Sequence, residues 1–166
     1  MCFVARLLSA VCKRRLRSDE IPLEGVCKIV EEVEPSTNSA DKGATIIHTN
    51  PQPGLLIFTK GYYSFVIVTA PEPRAKVAPP KDPRNLTDAE KIAWYEQWKP
   101  FSANSGTYEI KELKLSIRPI VAKGVDLMNR QTPITWEIKI EGPNTLWLTP
   151  IGQSPTQPRV KLARLE

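Results

Sequence analysis

The chain has 166 residues and an apolar fraction of 41%, which is enough for one compact domain with its own core. Of its 23 basic residues, five lie in positions 1–17, where no acid occurs, and the other 18 balance the 18 acidic residues of the remainder. The net charge of +5 therefore gives no support to a nucleic-acid-binding face on the main domain, and no run of eighteen apolar residues is present to span a membrane.

The N-terminal stretch MCFVARLLSAVCKRRLRS places its basic cluster after its apolar part, which reverses the order of a secretory signal peptide. This order favours a cytoplasmic location. We expect residues 1–21 to form a tail or a short helix, with an amphipathic surface-seeking helix as the alternative to an irregular tail, because the apolar residues fall at helical spacing. The main domain is expected at residues 22–166.

The cysteines Cys2, Cys12 and Cys27 form no Cys-x-x-Cys pair, and His48 is the only histidine. A disulfide scaffold or a zinc site is therefore not expected, and we predict neither a metal nor a cofactor. The sequence also lacks a glycine-rich phosphate loop and a base beside a nucleophilic Ser or Cys. We accordingly name no catalytic residue.

From residue 22 onward, short alternating segments separated by turn signals predict about eight or nine strands. The clearest hairpin is GLLIFTKGYYSFVIVT, in which Lys60-Gly61 forms a two-residue turn. Strict alternation in LKLSIRPIV and ITWEIKIEG is typical of half-buried strands. The remaining strand candidates are LEGVCKIVEEV, ATIIHT, SGTYEIK, TLWLTPI and RVKLARLE.

One helix is expected after the third or fourth strand. It follows the stretch APEPRAKVAPPKDPR (residues 70–84), a stiff segment with five prolines in thirteen residues, Pro71 to Pro83, which we call the proline-rich segment. The stretch NLTDAEKIAWYEQWKPF opens with a capping box of Thr87 and Glu90. Ile92, Tyr95 and Trp98 give it an apolar stripe. Because both faces of the strand YYSFVIVT are apolar, we expect this helix to cover the outer face of that strand.

Many antiparallel strands, joined in sequence and interrupted by one helix, predict a mainly β fold. Closure into an antiparallel barrel is the expected arrangement, because it removes the exposed strand edges. A barrel of about eight strands is wide enough to hold one small ligand.

The stretches NPQPGLLIFTKGYYSFVIV, NSGTYEIKELKLSIRPIV, ITWEIKIEGPNTLWLTP and VKLARLE, in this order, resemble the lipocalin-like domain family. The most specific pieces are P-x-G-L-L-I-F-T-x-x-G-Y-Y-S and G-T-Y-E-I, and the likeness covers about Leu23 to Glu166. The resemblance implies a calycin-type barrel with an internal cavity. Some related barrels bind hydrophobic small molecules, and a few distant ones act as cyclases or isomerases. Where such barrels usually carry Gly-x-Trp, this chain has Gly25-Val26-Cys27, with Arg164 as the expected partner.

We therefore expect a binder of a small, largely hydrophobic molecule rather than an enzyme. One alternative is a cofactor-free isomerase or cyclase that uses a cavity tyrosine or carboxylate. Another is an interaction module that forms a homodimer through the outer face of the Tyr62–Thr69 strand. The candidate ligand-binding residues are aromatic residues expected to line or cover the cavity, and one arginine: Tyr63, Phe65, Trp94, Trp98, Tyr108, Arg118 and Trp136.

Each candidate also has a purely structural interpretation. Tyr62 and Tyr63 can act as a cross-strand aromatic pair that stabilises the hairpin. Arg118 would anchor a carboxylate if it pointed inward, whereas its alternation with Lys114 favours an outward, solvated position. The tryptophans of the helix can form either a lid on the barrel or a seam between the helix and the barrel.

Overall fold

A computed structural model of the chain describes residue 21 and residues 23–36, 44–152 and 157–166; of the expected tail, residues 1–21, the first twenty lie outside these ranges. Neither helix within these ranges is long and apolar enough to cross a membrane. The strands are β1 (Gly25–Pro35), β2 (Thr45–His48), β3 (Gly54–Thr59), β4 (Tyr62–Val68), β5 (Phe101–Lys111), β6 (Lys114–Ala122), β7 (Ile134–Gly142), β8 (Thr145–Ile151) and β9 (Arg159–Arg164), and the helices are α1 (Asp88–Trp98) and α2 (Val125–Met128).

Eight strands form a closed antiparallel barrel in the order β1, β3, β4, β5, β6, β7, β8, β9, and β9 then pairs back onto β1. The prediction of a mainly β, closed antiparallel barrel is confirmed. β2 is an extra strand that pairs with the second half of β1, while β3 pairs with the first half. β2 and β3 are therefore two pieces of one interrupted strand opposite β1.

We call the end of the barrel at which β1 begins the floor, and the end at which β1 finishes the mouth. Ile21 and Leu23 precede β1 and are buried at the floor. Alternation along the strands points one set of side chains inward, so that they meet across the barrel. The side chains that are less than 2% exposed are Phe58, Leu23, Leu115, Ile117, Ile138, Leu146, Leu148, Leu162 and Cys27.

Helix α1 does not cover the outer face of β4, so this expectation was wrong. Tyr62 and Val66 remain 60% and 44% exposed, and α1 itself has no buried residue. Each proline in the segment before α1 lacks an amide donor, and the segment forms no strand between β4 and α1. The chain returns to the barrel where the Thr69 amide donates to the Pro100 carbonyl at 2.8 Å.

Side chains satisfy both ends of α1. The Glu90 amide donates to Thr87 Oγ1 at 3.3 Å and the Thr87 amide donates to the Glu90 carboxylate at 2.8 Å, which is a complete capping box. At the other end, Lys123 Nζ donates to the carbonyl oxygens of Lys99 and Phe101 at 3.2 and 2.7 Å. Because the last turn of α1 has no basic residue, Lys123 supplies the positive charge that a helix C-terminus favours.

Trp147 is buried on the outside of the barrel rather than within it. Its cross-strand neighbours are Lys139 and Lys161, and its side chain is only 8% exposed. The Arg159 guanidinium lies 4.6 Å from its ring centroid and the Lys161 ammonium 5.7 Å, while Lys161 also forms an ion pair with Glu141. The long cationic side chains therefore cover the indole, and they link β7, β8 and β9 on the outer surface.

Gly106 is a position at which the barrel wall leaves no space for a side chain. It is buried on β5, opposite Tyr63, beside a register shift between β5 and β6. A Cβ atom at Gly106 would overlap the carbonyl oxygen of Arg118. We expect Gly106→Ala to lower the free energy of unfolding by about 1–3 kcal/mol, because the neighbouring backbone has to move. Urea denaturation measures the change.

Gly124→Ala is the matched control, since a Cβ atom there meets nothing within 4 Å. Its free energy of unfolding should stay within about 0.5 kcal/mol of the wild-type value. Equal unfolding midpoints for the two variants would contradict this account of the barrel wall.

Candidate functional site

Four of the seven predicted ligand-binding residues lie on the inner face of the barrel. Tyr63 and Phe65 belong to β4, Tyr108 to β5 and Trp136 to β7, and all four are in or packed against the core. Phe58 of β3 lies directly opposite Tyr63 on the same face. Alternation therefore brings together aromatic side chains from four strands.

These five rings form one connected group, which we call the aromatic cluster. The Phe58 ring centroid lies 5.3 Å from that of Tyr108 and 5.6 Å from that of Phe65, both edge to face. Phe65 also contacts Tyr63 at 4.7 Å and Trp136 at 6.3 Å. Aromatic pairs attract at these distances. Because β4 and β7 stand on nearly opposite walls, the contact between Phe65 and Trp136 spans the barrel interior.

The packing differs on the two sides of the aromatic cluster. On the floor side, the core residues Leu23 and Leu146 are at most 1% exposed, so that this half is a solid core. On the mouth side, the inward residues Ile67, Asn104 and Val160 are only partly buried. A ligand inside the barrel would therefore occupy the half between the aromatic cluster and the mouth, which we call the upper half.

Two tyrosine hydroxyls in the aromatic cluster have polar partners. Tyr63 is 3% exposed, and its hydroxyl donates to Asn104 Oδ1 at 2.8 Å. Burial raises the pKa of Tyr63 well above its usual range. Burial also raises the pKa of Tyr108, with a smaller contribution from the charge of Glu24 and its hydrogen bond to the phenol. Both phenols therefore stay protonated at neutral pH and act as hydrogen-bond donors.

An ionisable group that the sequence did not indicate lies at the mouth. Glu32 stands opposite His48 on β2 and opposite the inward-facing Val160 on β9, so that its side chain faces the interior. His48 Nε2 lies 3.2 Å from Glu34 Oε1. Burial raises the pKa of Glu32, the nearby His48 opposes that shift, and Glu34 adds to it. No group of three or more metal-ligating side chains is placed to hold a metal within the described ranges.

Trp94 and Trp98 lie apart from the other predicted ligand-binding residues. Both lie on α1, outside the barrel, and are 36% and 55% exposed. Trp98 contacts Phe101 edge to face at 5.6 Å between ring centroids. Their position gives them no contact with the aromatic cluster, and a role as lid stays a prediction.

Arg118 lies outside the barrel, although the depression that it lines also includes Tyr108 of the aromatic cluster. It is exposed on the outer face of β6, opposite Thr107, as the alternation favours. There it lines a shallow depression of about 360 Å³ together with Glu109, Ser116 and Pro133. Because its guanidinium faces away from the interior, it is not available to anchor a carboxylate inside the barrel.

Comparison with known proteins finds a likeness in structure but not in sequence. No family model matches the sequence, and no curated protein matches it. A crystal structure of a lipocalin-like protein from Bacteroides uniformis superposes on 87% of this chain and 99% of that chain, with 13% identity and a TM-score of 0.46. The assignment of the fold depends instead on the strand order, in which eight antiparallel barrel strands follow one another and the last returns to the first. The fold is a lipocalin-like barrel.

The floor of this lipocalin-like barrel differs from the usual pattern at one position. Cys27 occupies the place of the expected tryptophan, and the β1–β9 register sets it directly opposite Arg164. Cys27 is 1% exposed, and burial raises the pKa of its thiol while the charge of Arg164 lowers it. Arg164 Nε donates to the Glu166 carbonyl at 2.7 Å. Leu23, whose carbonyl lies 3.8 Å from the Cys27 sulfur, supplies apolar cover at the floor.

The hydrogen bond of Tyr63 gives a pH-dependent prediction. Tyr63→Phe leaves the partly buried Asn104 oxygen without its donor, so we expect a loss of about 1–2 kcal/mol of stability at pH 7. The raised pKa of Tyr63 stabilises the wild-type fold fully below the unfolded pKa of about 10, and this stabilisation is lost as the pH rises further. The difference between wild type and variant should therefore shrink above about pH 10. Urea denaturation at pH 7 and in alkaline buffer measures it.

Tyr62→Phe is the matched control, because Tyr62 is exposed on the opposite face of the same strand. Its stability at pH 7 should equal that of the wild type. A Tyr63→Phe deficit that stays constant in alkaline buffer would rule out burial as the cause of the effect.

Proposed function

We propose that this protein binds one small, largely apolar molecule in the upper half of its barrel. The observation that carries the proposal is the aromatic cluster, which spans the interior and separates the solid core near the floor from the partly buried inner wall near the mouth. The Phe65 and Trp136 rings would form the base of the site. Ile67 and Val160 would contribute to its walls.

Burial of apolar surface would provide most of the affinity. At about 25 cal/mol per Å², a ligand that removes about 300 Å² of apolar surface from water gains about 7 kcal/mol before the costs of association. Asn104 and Glu32 are polar inward groups on the mouth side of the aromatic cluster. They would orient a hydroxyl or another donor group of the ligand, as is usual for sites that are mainly apolar.

Binding is better supported than proton transfer by an inward tyrosine. A general base has to release its proton near the operating pH, and burial keeps the Tyr63 and Tyr108 phenols protonated far above it. Glu32 is an inward carboxylate that an isomerase or cyclase could use. Its position at the mouth, away from the aromatic cluster, suits contact with the outer end of a ligand.

Neighbouring residues of β4 provide a sharp test. Ile67 points into the upper half and Val66 points to solvent. Ile67→Trp should fill the site and weaken binding of the neutral fluorescent probe N-phenyl-1-naphthylamine by at least about tenfold, whereas Val66→Trp should change the dissociation constant by less than about twofold. Fluorescence titration of the full chain measures both variants, which carry the same added indole.

Two results would contradict this proposal. One is the absence of saturable binding of the neutral probe to the wild-type chain. The other is equal weakening by the two β4 variants, because that would place the probe outside the barrel. Thermal unfolding of both variants controls for a loss of the fold.

Self-association is a second candidate function, and the outer face of β3 and β4 supports it. Leu55, Ile57, Tyr62 and Val66 are between 40% and 60% exposed and lie on adjacent strands. The outward positions of these two strands carry no charged side chain. Two copies could therefore meet through this face without repulsion between like charges.

A charge placed in this face tests the second candidate. If the chain forms dimers, Val66→Glu should shift it to a monomer in sedimentation velocity, because two buried carboxylates would repel each other. Val125→Glu, on the exposed helix α2, should leave the dimer intact. A wild-type chain that sediments as a monomer at high micromolar concentration would eliminate this candidate.

A further inference from the structure

A second recess lies outside the barrel, beside the C-terminal end of α1. It has a volume of about 460 Å³ and is bounded by α1, the proline-rich segment and the residues just before β3. Volumes of about 300–1,000 Å³ are typical of sites for small molecules. We call this recess the α1 groove; it shares no residue with the aromatic cluster. Its apolar lining includes Pro53, Val68 and Trp98, and its polar lining includes Arg74, Lys76 and Gln97.

Three contacts hold the walls of the α1 groove in place. Gln97 Nε2 donates to the Ala75 carbonyl at 3.2 Å, which ties the proline-rich segment to α1 between the two cationic residues. Lys123 Nζ donates to the Trp98 carbonyl and so ties the end of α1 to the barrel. The Trp98 ring packs edge to face on Phe101. These contacts fix the walls of the α1 groove, although α1 itself has no buried residue.

The charges on the α1 groove are unbalanced. The Arg74 guanidinium lies 5.3 Å from the ring centroid of Phe101, and stacking of this kind leaves its N–H edges free to donate. Within the described ranges, neither Arg74 nor Lys76 has an ion-pair partner. The carboxylate of Glu96 on the same helix is already paired with Lys99 at 3.6 Å. Two free cations thus stand beside an exposed indole.

We propose that the α1 groove binds a small amphipathic organic anion. The flat apolar part of the anion lies against Trp98, Pro53 and Val68. Its carboxylate, sulfonate or phosphate group accepts hydrogen bonds from Arg74 and Lys76, because guanidinium and ammonium groups form their strongest hydrogen bonds with such oxygens. This site goes beyond the proposed barrel site, which takes a neutral apolar molecule.

The test uses two related fluorescent probes on the full chain. The anionic probe 1-anilinonaphthalene-8-sulfonate carries a naphthalene ring and a sulfonate, and N-phenyl-1-naphthylamine is its neutral counterpart. In the double variant Arg74→Gln/Lys76→Gln, we expect the dissociation constant of the anionic probe to rise by at least about tenfold. Added salt should weaken binding of the anionic probe to the wild-type chain.

The matched control is Lys81→Gln/Arg84→Gln. It removes the same charge from the same proline-rich segment at two exposed positions outside the groove, and the anionic probe should bind as it does to the wild type. Lys76→Glu provides a further variant, because Lys76 is exposed and has no hydrogen bond or ion pair within the described ranges, so we expect its replacement to leave the fold intact. It should weaken binding at least as much as the double variant.

The outcomes separate this inference from the proposed barrel site. It is overturned if the groove and control variants bind the anionic probe equally. It is also overturned if Ile67→Trp abolishes binding of that probe, because the anion would then occupy the barrel. If the neutral probe does not bind at all while the anionic probe depends on Lys76, the barrel proposal fails and the α1 groove stands.

Discussion

The pairing of β9 with β1 is the constraint on which the rest of the structure depends. It joins the two ends of the domain from Cys27 and Arg164 at the floor to Val33 and Arg159 near the mouth. Without this ladder the sheet would present two free edges, and its inner face would be open to water. Closure turns that face into a core, because side chains from opposite walls then come within contact distance of one another.

The diameter of the closed barrel explains why its interior has two parts. Eight strands leave an interior that side chains can fill, or that can hold one small molecule. Near the floor, leucine and isoleucine residues fill it, whereas Phe65 and Trp136 close it from opposite sides halfway up. The packing that stabilises the half near the floor therefore limits how far a ligand could enter the barrel from the mouth. The proposed ligand site lies above the hydrophobic core in the interior of the same barrel.

The sequence predicted the strands and most of the inner aromatic residues because simple alternation holds along β4 and β7. The inward position of Tyr63 and Trp136 follows from it. Glu32 escaped prediction, since a register shift between Ile29 and Glu31 reverses the alternation in the second half of β1. His48 was assigned only to a strand end, because its closeness to Glu32 depends on β2 folding back onto β1.

The position of α1 could not be derived from its residues either. Its apolar stripe predicts a buried face, yet Lys123 and Gln97 hold the helix in place through hydrogen bonds to groups distant in sequence. The apolar pattern of a helix is therefore a poor guide to its packing when long, rigid segments connect the helix to the rest of the chain.

The division of the strand opposite β1 into two pieces has a consequence for the motions of the barrel. β2 makes four residue pairs with β1, and Ile46 and Ile47 are exposed. Because β3 and β9 hold β1 independently, β2 could detach in a local opening that costs a small fraction of the free energy of complete unfolding. Such an opening would widen the mouth of the barrel beside Glu32 while the pairing of β9 with β1 stays intact. A bound molecule could then enter or leave without unfolding of the barrel.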